Sequence, residues 1–360
     1  MNSMRKKEDK KIRILSVMLG TGVGGLENVF VDHARIFKKL GYHSSILCHQ
    51  KSASFSRLSE QSDLPVYTTP SKSFYSPLSW YYLIKAVRTD RPDVLCMHGN
   101  RAVSFFTFPL MKCFIHPFPK LIATAHNNRN RRFYKLDGVF SISKLLKEHM
   151  IANFGVDKNK VFLCPNAAPT PKTLTQKSHT PLQIGFLGRL EPVKGCDVLL
   201  KACCLLKKKK IPFKLIIAGD GSQKKDYQEF IQKNNLTDNI DFIGWINDKA
   251  KFFSQIDIMC IPSRSEGQPL TLLESLSYKK PIVVSDCPGM LEVVSEEKAA
   301  LSCPIEDEKA LANQLSAFIQ SPKTRDEFSK RAYATYTKSY TPYIQEQNLA
   351  KGIESVLKKN

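Results

Sequence analysis

Nowhere in the 360 residues is there a run of about 18 consecutive apolar residues, so the chain offers no candidate for a membrane-spanning helix. The basic stretch MRKKEDKK leads into IRILSVMLG, but Arg13 interrupts that apolar segment and no small-residue cleavage pattern follows. The expectation is a first β-strand behind a solvated tail, not a signal peptide. The ten cysteines form no CxxC pair and show no Cys/His metal spacing. Cys96 in DVLCM and Cys260 in IDIMCIP sit inside apolar strand patterns, where a free thiol packs as a small hydrophobe. That usage points to a reducing, cytoplasmic compartment. Polar low complexity is lacking too: 42% hydrophobic and 10% aromatic residues exclude global disorder and suit two domains with separate cores.

Acidic residues are scarce in one half only. Residues 1–180 carry 28 Lys/Arg against 11 Asp/Glu, whereas residues 181–360 carry 26 against 22. The first half therefore holds +17 of the net +21. Such a field suits an anionic partner: a membrane surface, an acidic glycolipid or nucleic acid, with a general basic bias as the plain alternative.

Strand-like and helix-like segments alternate from end to end. IRILSVML, HSSILCH, DVLCMH and KLIATAH read as strands in the first half, with apolar positions at helical spacing between them, among them Leu26, Val29, Phe30, Phe37 and Leu40. The pattern stops at NAAPTPKTLTQKSHTP, which is rich in Pro, Thr, Ser and Lys and reads as a linker. It restarts with LQIGFLG, a helix over 196–209, FKLIIAGDG, a helix over 224–234, IDFIGW, a helix over 248–255, IDIMCIP, a helix over 269–279 and PIVVSD. Alternation of this kind predicts parallel strands with helices on both faces. The expected α/β architecture is two doubly wound Rossmann-like domains facing across a cleft. The domains span 1–170 and 183–338, with a linker at 171–182 and a helix over 339–360 that packs back on the first domain.

GTGVGG (Gly20, Gly22, Gly25) follows a strand and opens a helix, as a dinucleotide fingerprint does. The acid that should end the second strand and hold a ribose is missing; that strand ends in His49 and Gln50. A nicotinamide cofactor is therefore not expected, although a glycine loop at a helix start still suits an anion.

The second half carries more specific signals. GFLGRLEPVKG places Arg189 and Lys194 in the loop after a strand, where two cations can grip a pyrophosphate. In PSRSEGQPLTLLESL, Gly267 allows a tight turn, Pro269 fits a first helical position, and the amides of Leu270 and Thr271 face outward at the helix start. Glu274 lies about 7.5 Å along the helix axis, at a ribose diol's distance from a phosphate docked at the start. Glu266 sits ahead of the helix, on the other side of the phosphates.

The E-x7-E of Glu266 and Glu274, GRLEPVKG, AGDG and PNAA after a strand together resemble glycosyltransferase family 4, over nearly the whole chain and most densely over 182–294. The resemblance implies the GT-B fold and a retaining transfer from a nucleotide-sugar donor. It assigns Arg189 and Lys194 to the donor pyrophosphate, Glu274 to the ribose and Glu266 to the sugar, with the base read by backbone near Gly244 and Trp245. The family uses no DxD-bound metal, and no DxD occurs here; no metal and no cofactor are expected. GGLE (Gly24, Gly25, Glu27) matches the family's GG-x-E loop. His126, ending LIATAH, aligns with a family histidine near the donor sugar, and His98, ending DVLCMH, is a second candidate. Glu27 and His98 are assigned to the acceptor side.

The implied activity moves a sugar to a hydroxyl of a glycolipid or polysaccharide precursor of the cell envelope, at the inner face of the membrane. Loss of nucleoside diphosphate would be assisted by Arg189, Lys194 and the helix terminus, and the acceptor would attack from the same face. Two rivals remain: a GT-B sugar-nucleotide epimerase, and a non-catalytic nucleic-acid-binding protein, which the absence of aromatic stacking motifs disfavours. Residues 101–120, RAVSFFTFPLMKCFIHPFPK, mix aromatics with Arg101, Lys112 and Lys120. They read either as a surface for anionic membrane or as a buried crossover helix with basic ends.

Overall fold

Both faces of the first strand are apolar: in RILSVM, Ile14 and Leu15 point to opposite sides and both are fully buried. A strand covered on both sides belongs in the middle of a parallel sheet. In the structure, a computed structural model describing residues 11–21, 25–52, 63–127, 131–173 and 178–358, that is where it lies. The strands of the first sheet are β1 (Arg13–Met18), β2 (His43–His49), β3 (Val66–Thr69), β4 (Val94–His98), β5 (Lys120–Ala125), β6 (Gly138–Ser141) and β7 (Val161–Leu163). They run in the order β3-β2-β1-β4-β5-β6-β7, all parallel. Leu15, Val17, Leu95 and Met97 pack on one face against Leu83 and Val87 of the helix Pro77–Asp90 and Phe105 of the helix Asn100–Phe106. Ile14, Cys96, Ile122 and Phe140 pack on the other against Phe37 and against Leu349, Ile353 and Val356.

Those last three residues belong to the helix Pro342–Leu357. The chain divides into one unit of residues 1–164 with 346–360 and another of residues 165–345. The expected boundaries at 170 and 339 therefore differ from the observed ones. Residues 165–173 belong to the second unit, where Ala168 N donates to Tyr340 O at 3.1 Å and Thr170 Oγ1 meets the Tyr336 hydroxyl at 2.7 Å. The described residues of the expected linker, 171–173 and 178–182, carry no helix or strand and fall within the second unit. The described end of that stretch is tied down, with His179 N and Gln183 N both donating to the Asp257 carboxylate.

The second unit holds β8 (Gln183–Leu187), β9 (Lys214–Ala218), β10 (Ile240–Gly244), β11 (Ile258–Ile261), β12 (Ile282–Ser285) and β13 (Leu301–Cys303). Their order is β10-β9-β8-β11-β12-β13, again all parallel. The helices Cys196–Lys208 and Glu308–Gln320 cover one face through Leu199, Leu206, Leu311 and Leu315. The helices Leu270–Ser277 and Pro322–Ser339 cover the other through Leu272, Leu276 and Tyr336. In each sheet the order reverses once, between β1 and β4 and between β8 and β11. Loops at the carboxyl ends of such a pair are where doubly wound sheets take ligands. Among the described residues, no helix is long and apolar enough to cross a membrane.

Candidate functional site

Because β8 and β11 are hydrogen-bonded neighbours, the loops that leave their carboxyl ends lie side by side. The first carries Gly188–Glu191 and a 3-10 turn Pro192–Lys194; the second carries Ser263–Gln268. Gly195 closes the turn at φ +66°, and a Cβ there would stand 1.9 Å from Pro262 O. Only glycine permits that approach, and it brings Lys194 against the second loop. Lys194 Nζ meets Glu266 Oε1 at 2.5 Å, and Ser263 Oγ donates to the same oxygen at 3.0 Å. The loop is backed by the helix Pro288–Val294, where a Cβ on Gly289 would lie 2.2 Å from Glu266 O.

Lys194 is also held from behind. The Arg264 guanidinium forks onto Asp197 at 2.9 and 2.7 Å, bonds Glu306 at 2.7 Å and donates to Pro192 O, while its own amide donates to Val193 O. The bond to Asp197 raises the already high pKa of Arg264. Burial alone would raise the Asp197 carboxyl, yet the bonds from Arg264 hold it below its ordinary value. The result is a fixed charge network around the turn. Arg189, by contrast, is exposed and makes no side-chain hydrogen bond or ion pair among the described residues.

Pro269 proves to be the N-cap of the helix Leu270–Ser277, with extended backbone at φ −73° and ψ 126°, not its first helical residue. Its carbonyl accepts from Leu272 N and Leu273 N, which leaves the amides of Leu270 and Thr271 without an intrahelical acceptor. Gly267 is exposed beside them. Gln268 Oε1 accepts from Asn166 N at 2.7 Å, which anchors PNAA just ahead of the helix. Glu274 is only 6% exposed and is ion-paired with Lys249 of the helix Lys249–Ser254. Burial pushes its carboxyl up, and Lys249 works in the opposite direction. The two carboxylates expected to flank a phosphate thus each hold a lysine instead, Glu266 with Lys194 and Glu274 with Lys249. Gly244, at φ +70°, ends β10, and Trp245 beyond it is 54% exposed.

In the first unit, His98 ends β4 and His126 follows β5, so the parallel pairing of β4 with β5 sets them 5.8 Å apart between ring centroids. His33, from the helix Gly25–Lys39, stands 5.1 Å from His98. The edge of Phe30 closes on His98 at 5.3 Å. His98 Nδ1 and His126 Nε2 are buried without a hydrogen-bond partner among the described residues. Burial lowers His126 to about 4 and, with repulsion from His126, lowers His33 to about 3; burial, with repulsion from His33 and then His126, takes His98 well below its ordinary value. All three imidazoles are therefore neutral at pH 7. Glu27 is buried in the first turn of the helix Gly25–Lys39 beside Gly20, and Gly25 is exposed at its start. Gly24 lies outside the described residues.

Arg264, Asp197, Ser263, Lys249 and His33 escaped the sequence reading. His33 alone left a local signal, since Phe30, His33 and Phe37 recur at helical spacing. The stretch 101–120 divides between its two readings: Ala102, Val103, Phe105 and Phe106 are core, while Phe108, Leu110, Lys112 and Phe114 are exposed.

Known proteins are similar in sequence and in fold. The family model described as "Glycosyl transferases group 1" matches residues 172–335, and "Glycosyltransferase Family 4" matches residues 23–170. An uncharacterized glycosyltransferase of Haemophilus influenzae is 24% identical over 334 residues, 87% of this chain and 92% of that protein. An O-antigen biosynthesis glycosyltransferase of Escherichia coli, WclY, is 29% identical over 157 residues, 44% of this chain and 42% of that protein. Among solved structures, a glycosyltransferase from Rickettsia africae superposes with a TM-score of 0.82 at 17% identity, covering 98% of this chain and 100% of the other. The Anabaena protein Alr3699/HepE, solved in complex with UDP-glucose, gives 0.78 at 18% identity, covering 96% and 100%.

Proposed function

Because the chain belongs to the family 4 glycosyltransferases, with the GT-B fold, we propose that it transfers a sugar from a nucleoside diphosphate sugar to a hydroxyl of a cell-envelope glycan precursor, with retention and without a bound metal. The observation that carries this reading is the Lys194–Glu266–Ser263 network set beside the amides of Leu270 and Thr271, which have no intrahelical acceptor. A pyrophosphate docked at that helix start has two amides, Arg189 and Lys194 to receive it. Charge that grows on the departing phosphate meets donors already in place, the arrangement in which electrostatic stabilisation is strongest. Glu266, fixed by Lys194 and Ser263, is then free to accept from sugar hydroxyls, and Glu274 from the ribose. The neutral, partnerless nitrogens of His98 and His126 suit hydrogen bonds to uncharged hydroxyls rather than to phosphate.

UDP is the first nucleotide to test, since the Anabaena protein was solved with UDP-glucose. A cell-envelope acceptor is supported by the E. coli O-antigen relative. A lipid-linked acceptor is supported by the exposed Phe108, Leu110 and Phe114 around Lys112, a surface suited to anionic membrane at the inner leaflet. Incubation with UDP-sugars and cell-envelope glycolipid fractions should yield a product whose anomeric NMR signals match those of the donor. Excess EDTA should leave the rate unchanged. An inverted product, or activity restored only by Mg²⁺, contradicts the proposal. Flotation with anionic vesicles at low salt, lost at high salt, checks the membrane contact.

A further inference from the structure

The first unit also holds a pocket of about 600 Å³ that the donor reading leaves unused. Lys72, Arg101 and Arg132 line it with Phe74, Tyr75 and Asn100, and no lining residue carries a carboxylate. The three cations come from three different segments: Lys72 from the loop after β3, Arg101 from the first turn of the helix Asn100–Phe106 after β4, and Arg132 from the 3-10 turn Arg131–Lys135 after β5. Lys72 Nζ is pinned to Thr21 Oγ1 at 2.6 Å, and Arg132 donates to Ser104 O at 3.1 Å. Neither Lys72 nor Arg101 has an acidic partner among the described residues. Their field reaches His49, which is lowered first by burial and then by Lys72, with Arg101 contributing. Lys72 and Arg101, like charges brought to one concavity, repel one another, and an anion in the pocket relieves that repulsion. The aromatic wall is preformed as well, with Phe74 packed at 5.0 Å on Phe105 and 5.2 Å on Trp80 while Tyr75 stays 92% exposed. The volume lies within the range of small-molecule sites.

We propose that this pocket is an acceptor subsite that recognises an anionic oxygen group, phosphate or carboxylate, next to a sugar ring placed against Phe74 and Tyr75. The inference rests on the glycosyltransferase reading and narrows its acceptor to an anionic one.

The test uses the full chain with UDP at saturation, so that the donor site is filled, and titrates inorganic pyrophosphate and glucuronate by calorimetry. Binding of either probe is expected, the preferred one identifying phosphate or carboxylate as the recognised group. Lys72→Ala/Arg101→Ala should weaken it about a hundredfold, since a hydrogen bond to a charged group carries roughly tenfold or more in affinity. Arg101→Lys, which keeps the point charge, should retain part of it, and Lys207→Ala in the second unit none of the loss. Circular dichroism melts matching wild type establish that the variants fold. UDP affinity, measured on the same samples, should be unchanged. If neither probe binds beside UDP, or the double variant binds as wild type does, the inference is overturned while donor binding stands. If UDP itself fails to bind, the donor reading fails, and the same titration without nucleotide still decides the pocket.

Discussion

The two units share a sheet order and differ in how they keep polar groups inside it. In the second unit the charges around the candidate site are paired: Lys194 with Glu266, Lys249 with Glu274 and Arg264 with Asp197. In the first, the groups at the ends of β4 and β5 are neutral imidazoles with nitrogens lacking partners among the described residues, and Lys72 and Arg101 have no acidic partner there. On the proposed reading, the paired charges hold a geometry in readiness for an anionic ligand. Unpaired neutral groups leave hydrogen-bonding capacity for a ligand without charge. One Rossmann-like plan thus supports two chemistries, chosen by which residues stand at the carboxyl ends.

The comparison breaks first at Lys194. Lys194→Ala should lower transfer about 10²–10³-fold with little change in melting temperature, the usual cost of removing one preorganised donor. Turnover within twofold of wild type would show that the network beside the helix start does no catalytic work. Gly289→Ala comes next. The new Cβ would meet the carbonyl oxygens of Glu266 and Gly267 at 2.2 and 2.3 Å, and backbone cannot yield as a side-chain tip can. Activity should fall at least tenfold, together with about 1–3 kcal/mol of stability, readable by urea denaturation; an unchanged midpoint and rate would refute the backing role.

A third prediction isolates the first unit. His33 and His126 hold protons more weakly folded than unfolded, so the unfolded chain binds more protons between pH 6.5 and about 3. Stability is therefore complete above pH 6.5 and is lost as pH falls through that window, by on the order of a few kcal/mol. His126→Gln should flatten the dependence, and a melting profile as steep as that of wild type would assign the acid loss elsewhere. The smallest effect is expected from Lys249→Ala. It leaves the Glu274 carboxyl buried without its cation, which pushes its pKa higher still. UDP affinity should weaken by roughly tenfold, most at the acid end, where protonated Glu274 is a poorer acceptor for the ribose. Equal affinity for UDP across pH 5–8 in both proteins would detach the ion pair from nucleotide binding.

Much of this was legible in the residues because it is local. Periodic apolar positions located the long strands and helices, and the loop GRLEPVKG with Glu266 and Glu274 marked the carboxyl ends of β8 and β11. Four-residue strands such as VYTT and GVFS carry too few positions to show a period. The partners of the site charges were invisible for a different reason. Arg264 and Asp197 lie 67 residues apart, Lys194 and Glu266 72, and Lys249 and Glu274 25. Only the pairing of β8 with β11 makes neighbours of the first two pairs. The unit boundary was misplaced because a Pro- and Thr-rich stretch looks the same whether it spans two bodies or clings to one.

The helix Pro342–Leu357 has a consequence for how the protein is made. Its residues Leu349, Ile353 and Val356 complete the face of the first sheet built from Ile14, Cys96, Ile122 and Phe140. When residue 164 leaves the ribosome that face is still open, and the residues that cover it are roughly 180 positions away. At the usual pace of synthesis they follow after about 10–40 s. Through that interval the nascent chain displays an apolar sheet face, a surface of the kind that chaperones bind. The second unit, continuous in the chain, meets no such delay. Order of synthesis and order of folding are therefore inverted here: the half translated first is finished last.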